Sequence, residues 1–161
     1  MSVVVLGIGN TLLTDEGVGI HALQLLRQEL GEDNQLTLLD GGTLSFSLVP
    51  LVTEAKALIV IDAAHLGLAP GTVRRFTGTR LDRLVRGGIR TAHEVGLKEL
   101  LDMARLAGRL PRLRALVAVE PHSLDWGTTL SPEVGAALPQ VSALVRSTAQ
   151  RWQSHFAQAV T

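Results

Sequence analysis

Apolar and polar positions along the chain switch repeatedly between two periods. Val3-Val4-Val5-Leu6 is an unbroken apolar run, the pattern of a strand covered on both faces, and it stops at Gly7. From about Glu16 the spacing becomes helical: Gly19, Ala22, Leu23, Leu26 and Leu30 share one face, and Gly31 reads as the C-cap. Gln35 to Leu39 reads as a second strand ending at Asp40, with the turn Gly41-Gly42 behind it. A short helix is expected over Leu44 to Glu54, bent or shortened by Pro50. Ala57-Leu58-Ile59-Val60-Ile61 shows no alternation and fits a central strand, ending abruptly at Asp62.

The second half repeats the scheme. After the turn signal Pro70-Gly71, Thr72 to Phe76 reads as a more exposed edge strand. Gly78 to Arg90, carrying Arg80, Arg83, Arg86 and Arg90, is expected to be an irregular basic surface loop. A second long helix is expected from Thr91, since Thr91-Ala92-His93-Glu94 has the form of a capping box and Leu97, Leu100, Leu101 and Ala104 make a buried stripe. Leu113 to Val119 reads as a further strand. Ser131-Pro132-Glu133 opens a helix, with Ser as N-cap and Pro at its first position, that runs to the C-terminus with a kink at Pro139. Strands alternating with helices predict a three-layer α/β fold with a mostly parallel sheet. No linker, repeat or low-complexity tract divides residues 1–161, so one domain is expected.

Composition narrows the function classes. With 46% apolar and 19% charged residues the chain can bury a full core, and its zero formal charge gives no reason to expect nucleic acid or an anionic membrane as partner. The absence of cysteine excludes disulfides, thiolate metal sites and a Cys nucleophile. No leader-like segment or apolar run of spanning length is read, so a cytoplasmic protein, monomeric by default, is expected.

Candidate chemistry gathers where strands give way to helices, because open α/β sheets bind ligands outside the carboxyl ends of their strands. Glu16 follows the first strand, Asp40 the second and Asp62 the third, and His93 opens the next long helix. Each has a plain structural alternative. An acid in a first helical turn suits the helix dipole, Asp40 before two glycines forms turns, and a buried His can be satisfied by a single hydrogen bond. Asp62, directly behind five apolar strand residues, is the hardest to dismiss, since a desolvated carboxylate needs a partner. A helix N-terminus would keep the His93 imidazole neutral, the form that ligates metals. Two carboxylates and an imidazole would suit a divalent first-row metal with positions left open. Gly7-Ile8-Gly9-Asn10-Thr11-Leu12 lacks the third glycine of a dinucleotide turn, and there is no Walker lysine or nucleophile elbow.

These residues also carry a family resemblance. Gly7-Ile8-Gly9-Asn10 through Asp15-Glu16-Gly17-Val18-Gly19, Leu39-Asp40-Gly41-Gly42-Thr43, Ile61-Asp62-Ala63 and His93-Glu94-Val95-Gly96-Leu97 resemble the hydrogenase maturation endopeptidases. Glu120-Pro121-His122-Ser123-Leu124 and Leu130-Ser131-Pro132-Glu133-Val134 extend the likeness over almost the whole chain. The resemblance implies an α/β/α domain with a five-stranded mixed sheet, one strand antiparallel. It implies removal of a C-terminal extension from the large-subunit precursor of a nickel–iron hydrogenase once nickel is in place. It carries the family's metal-binding Glu, Asp and His onto Glu16, Asp62 and His93, and a supporting Asp onto Asp40. The nickel would then arrive with the precursor, and Glu16 or Asp62 would serve as general base. Competing readings are a nickel-dependent checkpoint that grips the precursor without cutting it, a nucleotide-binding α/β domain, and a general amidase.

Overall fold

In the computed structural model, residues 3–31, 35–43, 46–88 and 96–158 are described. A single sheet of five strands runs through them in the order β2-β1-β3-β5-β4, with β1 Val3–Gly7, β2 Leu36–Asp40, β3 Ala57–Ala63, β4 Val73–Thr77 and β5 Leu113–Val119. β2, β1, β3 and β5 are mutually parallel and β4 pairs antiparallel to β5 at one edge. The expected α/β/α arrangement with a mixed, mostly parallel sheet is what forms.

Five helices cover the two faces: α1 Val18–Leu30, α2 Val49–Glu54, α3 Gly78–Arg86, α4 Leu97–Leu106 and α5 Pro132–Gln158. Alternation along the strands decides which side chains meet which helices. Val3, Val5, Ile59, Ile61 and Val117 turn towards α1 and α5, whose Leu23, Leu26, Val141 and Val145 are fully buried. Val4, Leu6, Leu58, Val60 and Leu116 turn towards α2, α3 and α4, meeting Val52, Leu81 and Leu101. No helix among the described residues is long and apolar enough to cross a membrane.

Several local expectations are corrected. The basic stretch after β4 is a helix up to Arg86, because Leu81, Leu84 and Val85 lie three and four residues apart and Leu81 is wholly buried. Its arginines occupy the other side, so their charge does not prevent the element from docking. α2 is shorter than the expected Leu44–Glu54 helix, as expected of a proline there, with Pro50 in its first turn where the missing N–H costs nothing. Leu97 begins α4, with the Gly96 N–H donating to Glu99 Oε2 at 2.7 Å; Thr91–Glu94, the expected capping box, lies outside the described residues. As expected, α5 continues past Pro139. β3 continues through Asp62 and Ala63, so Asp62 is a strand residue.

Candidate active site

The connection β1–α1–β2 runs to one side of β1, whereas β2–α2–β3 returns to its other side. The direction of winding therefore reverses between β1 and β3, and the crevice at their carboxyl ends is the binding position this topology creates. Residues 8–17 lie across that crevice. Ile8 N–H donates to Ile61 O at 2.9 Å, fastening the turn to β3, and Gly9 N–H donates to Gly42 O at 2.8 Å, fastening it to the turn after β2. Two glycines make this approach possible. Gly9 has φ +149° and a Cβ there would fall 1.9 Å from Glu16 O; one at Gly19 would fall 2.3 Å from Ile8 O and 2.5 Å from Ile61 O.

A short 3₁₀ turn, Thr14–Gly17, then presents the two adjacent acids. It begins at Thr14, whose φ of +40° is the one left-handed backbone conformation at a non-glycine among the described residues. Thr14 is held there by its N–H on Gly127 O at 2.8 Å and its hydroxyl on Ser123 O at 2.6 Å.

The two acids have opposite environments. Asp15 is fully buried and accepts four hydrogen bonds: from His122 N–H at 2.8 Å, Ser123 N–H at 3.0 Å, Ser131 N–H at 2.7 Å and Ser131 Oγ at 2.8 Å. Burial alone would push its pKa up, but these donors outweigh it and hold the carboxyl below its ordinary value. Asp15 is thus the anchor of the 120–131 segment. The Ser131 hydroxyl, expected as a helix cap, is turned onto it. Glu16 is 7% exposed, and burial raises its pKa.

Asp62 is fully buried on the α2–α3–α4 side of the sheet, and neither carboxylate oxygen has a hydrogen-bond partner among the described residues. Burial raises its pKa well above the ordinary value; the Ala63 amide acts in the opposite direction, and the nearby Glu16 charge adds to the rise. Such an unsatisfied carboxylate destabilises the fold by about 1–3 kcal/mol or more. Glu16 and Asp62 therefore meet closely enough to feel each other, from the turn after β1 and the end of β3. A divalent cation between them would relieve both the desolvation and the repulsion.

Asp40 stands apart. It is exposed, its Oδ1 accepts the Gly42 N–H at 2.9 Å, and its strand position aligns with Gly7, which aligns in turn with Ile61. It sits two strands from β3 and shapes the turn that receives Gly9. His93 lies outside the described residues. Among those described, no three His, Asp or Glu side chains form a group able to hold a metal.

Two features of this edge escaped the sequence. Glu120, at the end of β5, is buried and its Oε2 accepts the N–H groups of Leu66 at 2.6 Å and Leu68 at 3.2 Å, bracing the loop after β3. Glu120 opens one of the motifs that carry the family resemblance, and it is an acid closing an apolar strand, the same signal that singled out Asp62, but neither signal gave it this role. Leu12 and Trp126, 53% and 81% exposed, are brought side by side by the pairing of Leu13 with Gly127 and the Gly127 N–H bond to Leu12 O at 2.9 Å.

Comparison with known proteins agrees in sequence and in fold. The family model HycI, hydrogenase maturation protease, matches residues 20–148. The hydrogenase expression/formation protein HupD of Thiocapsa roseopersicina is 37% identical over 133 residues, which are 82% of this chain and 60% of that protein, so the chain spans less than two thirds of that relative's length. The hydrogenase 2 maturation protease of Escherichia coli strain K12 is 35% identical over 151 residues, covering 91% of this chain and 92% of that one. Among solved structures, the hydrogenase maturating endopeptidase HybD from E. coli superposes with a TM-score of 0.86 at 32% identity, over 94% of this chain and 93% of that one. HybD from Thermococcus kodakarensis gives 0.79 at 28% identity, over 92% and 99%.

Proposed function

The chain belongs to the hydrogenase maturation protease family, a family of peptidases, and from that premise we propose that it is an endopeptidase removing the C-terminal extension of a nickel–iron hydrogenase large-subunit precursor. The observation that carries the site is Asp62. A carboxylate fully buried with no hydrogen-bond partner among the described residues, beside a second acid at the topological switch point, is a strain on the fold that a ligand would relieve.

In this reading Glu16, Asp62 and His93 ligate the nickel that the precursor already holds, so the ion is part of the substrate and its presence licenses the cut. Two carboxylates and an imidazole form a donor set suited to a divalent first-row ion. Nickel bound there would polarise the scissile carbonyl. Glu16 retains contact with solvent at 7% exposure where Asp62 has none, so we assign Glu16 as the base that takes the proton of the attacking water. Asp62 must be uncovered before it can ligate, which makes precursor docking the step that opens the site. Asp40 acts at one remove, by fixing the turn that receives Gly9. Exposed Trp126 and Leu12, beside the Glu16 turn, offer an apolar seat for the precursor.

The test is cleavage of a nickel-loaded precursor, followed as a mobility shift on a gel. Glu16→Gln and His93→Ala are expected to fold and to stop the shift; normal processing by both would sink the site assignment. A wild-type protein that binds the precursor but leaves it whole would favour the non-cleaving checkpoint.

A further inference from the structure

At the amino ends of the parallel strands, away from Glu16 and Asp62, a cavity of about 270 Å³ lies between the end of β4, the start of β5 and the second half of α5. Arg75, Arg112, Arg114 and Arg151 line it, with Leu113 and the buried Trp152 as an apolar floor. No Asp or Glu lines it among the described residues. The chain as a whole has zero formal net charge, so four guanidinium groups around one notch are a local concentration and not a sample of a basic surface.

The four are not equivalent. Arg114 has its own counter-charge: its Nε donates to Asp82 Oδ1 at 3.0 Å and its Nη2 to Asp82 Oδ2 at 2.5 Å. Arg75, Arg112 and Arg151 have no carboxylate partner among the described residues. Arg112 and Arg151 are exposed, but Arg75 is half-buried and fixed in place. Its Nη1 donates to Thr148 Oγ1 at 2.8 Å, and that buried hydroxyl gives its own proton to Leu144 O at 2.6 Å. The rest of the Arg75 fork has no protein acceptor among the described residues. A partly desolvated guanidinium facing like charges and no acid is destabilising, and an anion in the notch would reverse the sign of that interaction.

We propose that this notch, through Arg75, Arg112 and Arg151, binds a phosphate dianion, free or as the end group of a small phosphomonoester. Each guanidinium presents a planar fork of donors that matches a pair of anion oxygens. A carboxylate has one such pair and is satisfied by a single fork. A phosphate group offers at least three acceptor oxygens and close to two charges, which is what three unpaired forks can use. The apolar floor of Leu113 and Trp152 keeps water from one side and strengthens the attraction. A cavity of this volume admits a small anion and excludes a folded partner. It is also separate from the candidate active site. Leu113 aligns with Ala57, and from Ala57 to Asp62 β3 advances roughly 16 Å at about 3.3 Å per residue. The proposal therefore does not rest on the endopeptidase reading.

The test is isothermal titration calorimetry of the full chain with inorganic phosphate and with phenyl phosphate at constant ionic strength, with acetate as the carboxylate control. Saturable one-site binding of both phosphates is expected, at least about tenfold tighter than acetate, the scale of one charged hydrogen bond. Tighter binding of phenyl phosphate than of inorganic phosphate assigns the ester as the ligand; equal binding assigns the free anion. Arg112→Gln/Arg151→Gln is expected to weaken phosphate binding by at least about tenfold. Arg75→Lys, which keeps the charge and loses the fork, should weaken it as well, and either single substitution at Arg112 or Arg151 carries the comparison if the double variant unfolds. No saturable heat from either phosphate, acetate binding as tight as phosphate, or equal phosphate affinity in wild type and variants overturns the proposal.

Discussion

Replacing Asp15 by Asn tests how the site is held together. The carboxylate accepts on Oδ2 from His122 N–H, Ser123 N–H and the Ser131 hydroxyl, and on Oδ1 from Ser131 N–H. An amide of the same shape keeps one acceptor. If its oxygen serves the three donors, its nitrogen faces the Ser131 N–H at what was a 2.7 Å hydrogen bond, donor against donor. One charged bond is lost with a buried N–H left unsatisfied, about 1–3 kcal/mol, and three others fall from charged to neutral strength, roughly 0.5–1 kcal/mol each. The sum, about 2.5–6 kcal/mol, brackets the usual cost of breaking a buried charged network. For a chain of this size each kcal/mol moves Tm by about 2–4 °C, so Asp15→Asn should lower it by roughly 5–24 °C. A lowered folded pKa adds a pH signature. The stability Asp15 contributes is present above its unfolded value of 3.8 and is lost as pH falls through the lower folded value, so the gap between wild type and variant should close in acid. Thermal denaturation by circular dichroism across that range reads both effects, and Ser131→Ala in a double-mutant cycle should couple to it. A Tm within about 2 °C of wild type at neutral pH would falsify the anchoring role.

Other substitutions should behave differently. Asp62→Asn is expected to abolish precursor processing while raising Tm at neutral pH, by roughly 2–12 °C for about 1–3 kcal/mol of relieved burial. Because the folded pKa of Asp62 is raised, its protonated form is the stable one: wild-type stability falls as pH rises from 3.8 through the folded value, and the Asn variant should lack that decline. Unaltered pH dependence in the variant would mean that Asp62 is satisfied in solution. Gly19→Ala would drive a methyl group into two backbone carbonyls, Ile8 O at 2.3 Å and Ile61 O at 2.5 Å. It should cost about 3 kcal/mol, seen as a fall in urea midpoint, and an undiminished midpoint would show that α1 can move away from β1 and β3.

What the sequence alone decided was local in origin. Runs such as Val3–Leu6, Ala57–Ile61 and Leu113–Val119 announce strands because only a strand buried on both faces has no polar position to fill. The layered architecture followed from their alternation with helices, and the acids after β1 and at the end of β3 were legible because charge at the end of an apolar run is costly without a purpose. The stretch from Gly78 was misread because its arginines mask a buried face of only Leu81 and Val85, too few residues for periodicity to register. Asp15 and Glu16, neighbours in sequence, could not be told apart by spacing. One is an anchor and the other a candidate ligand only because Ser123 and Ser131, more than a hundred residues away, bring their donors to Asp15. The gathering of Arg75, Arg112 and Arg151 likewise exists only once β4 turns antiparallel onto β5, since register between distant strands is set by packing and is written in no single segment.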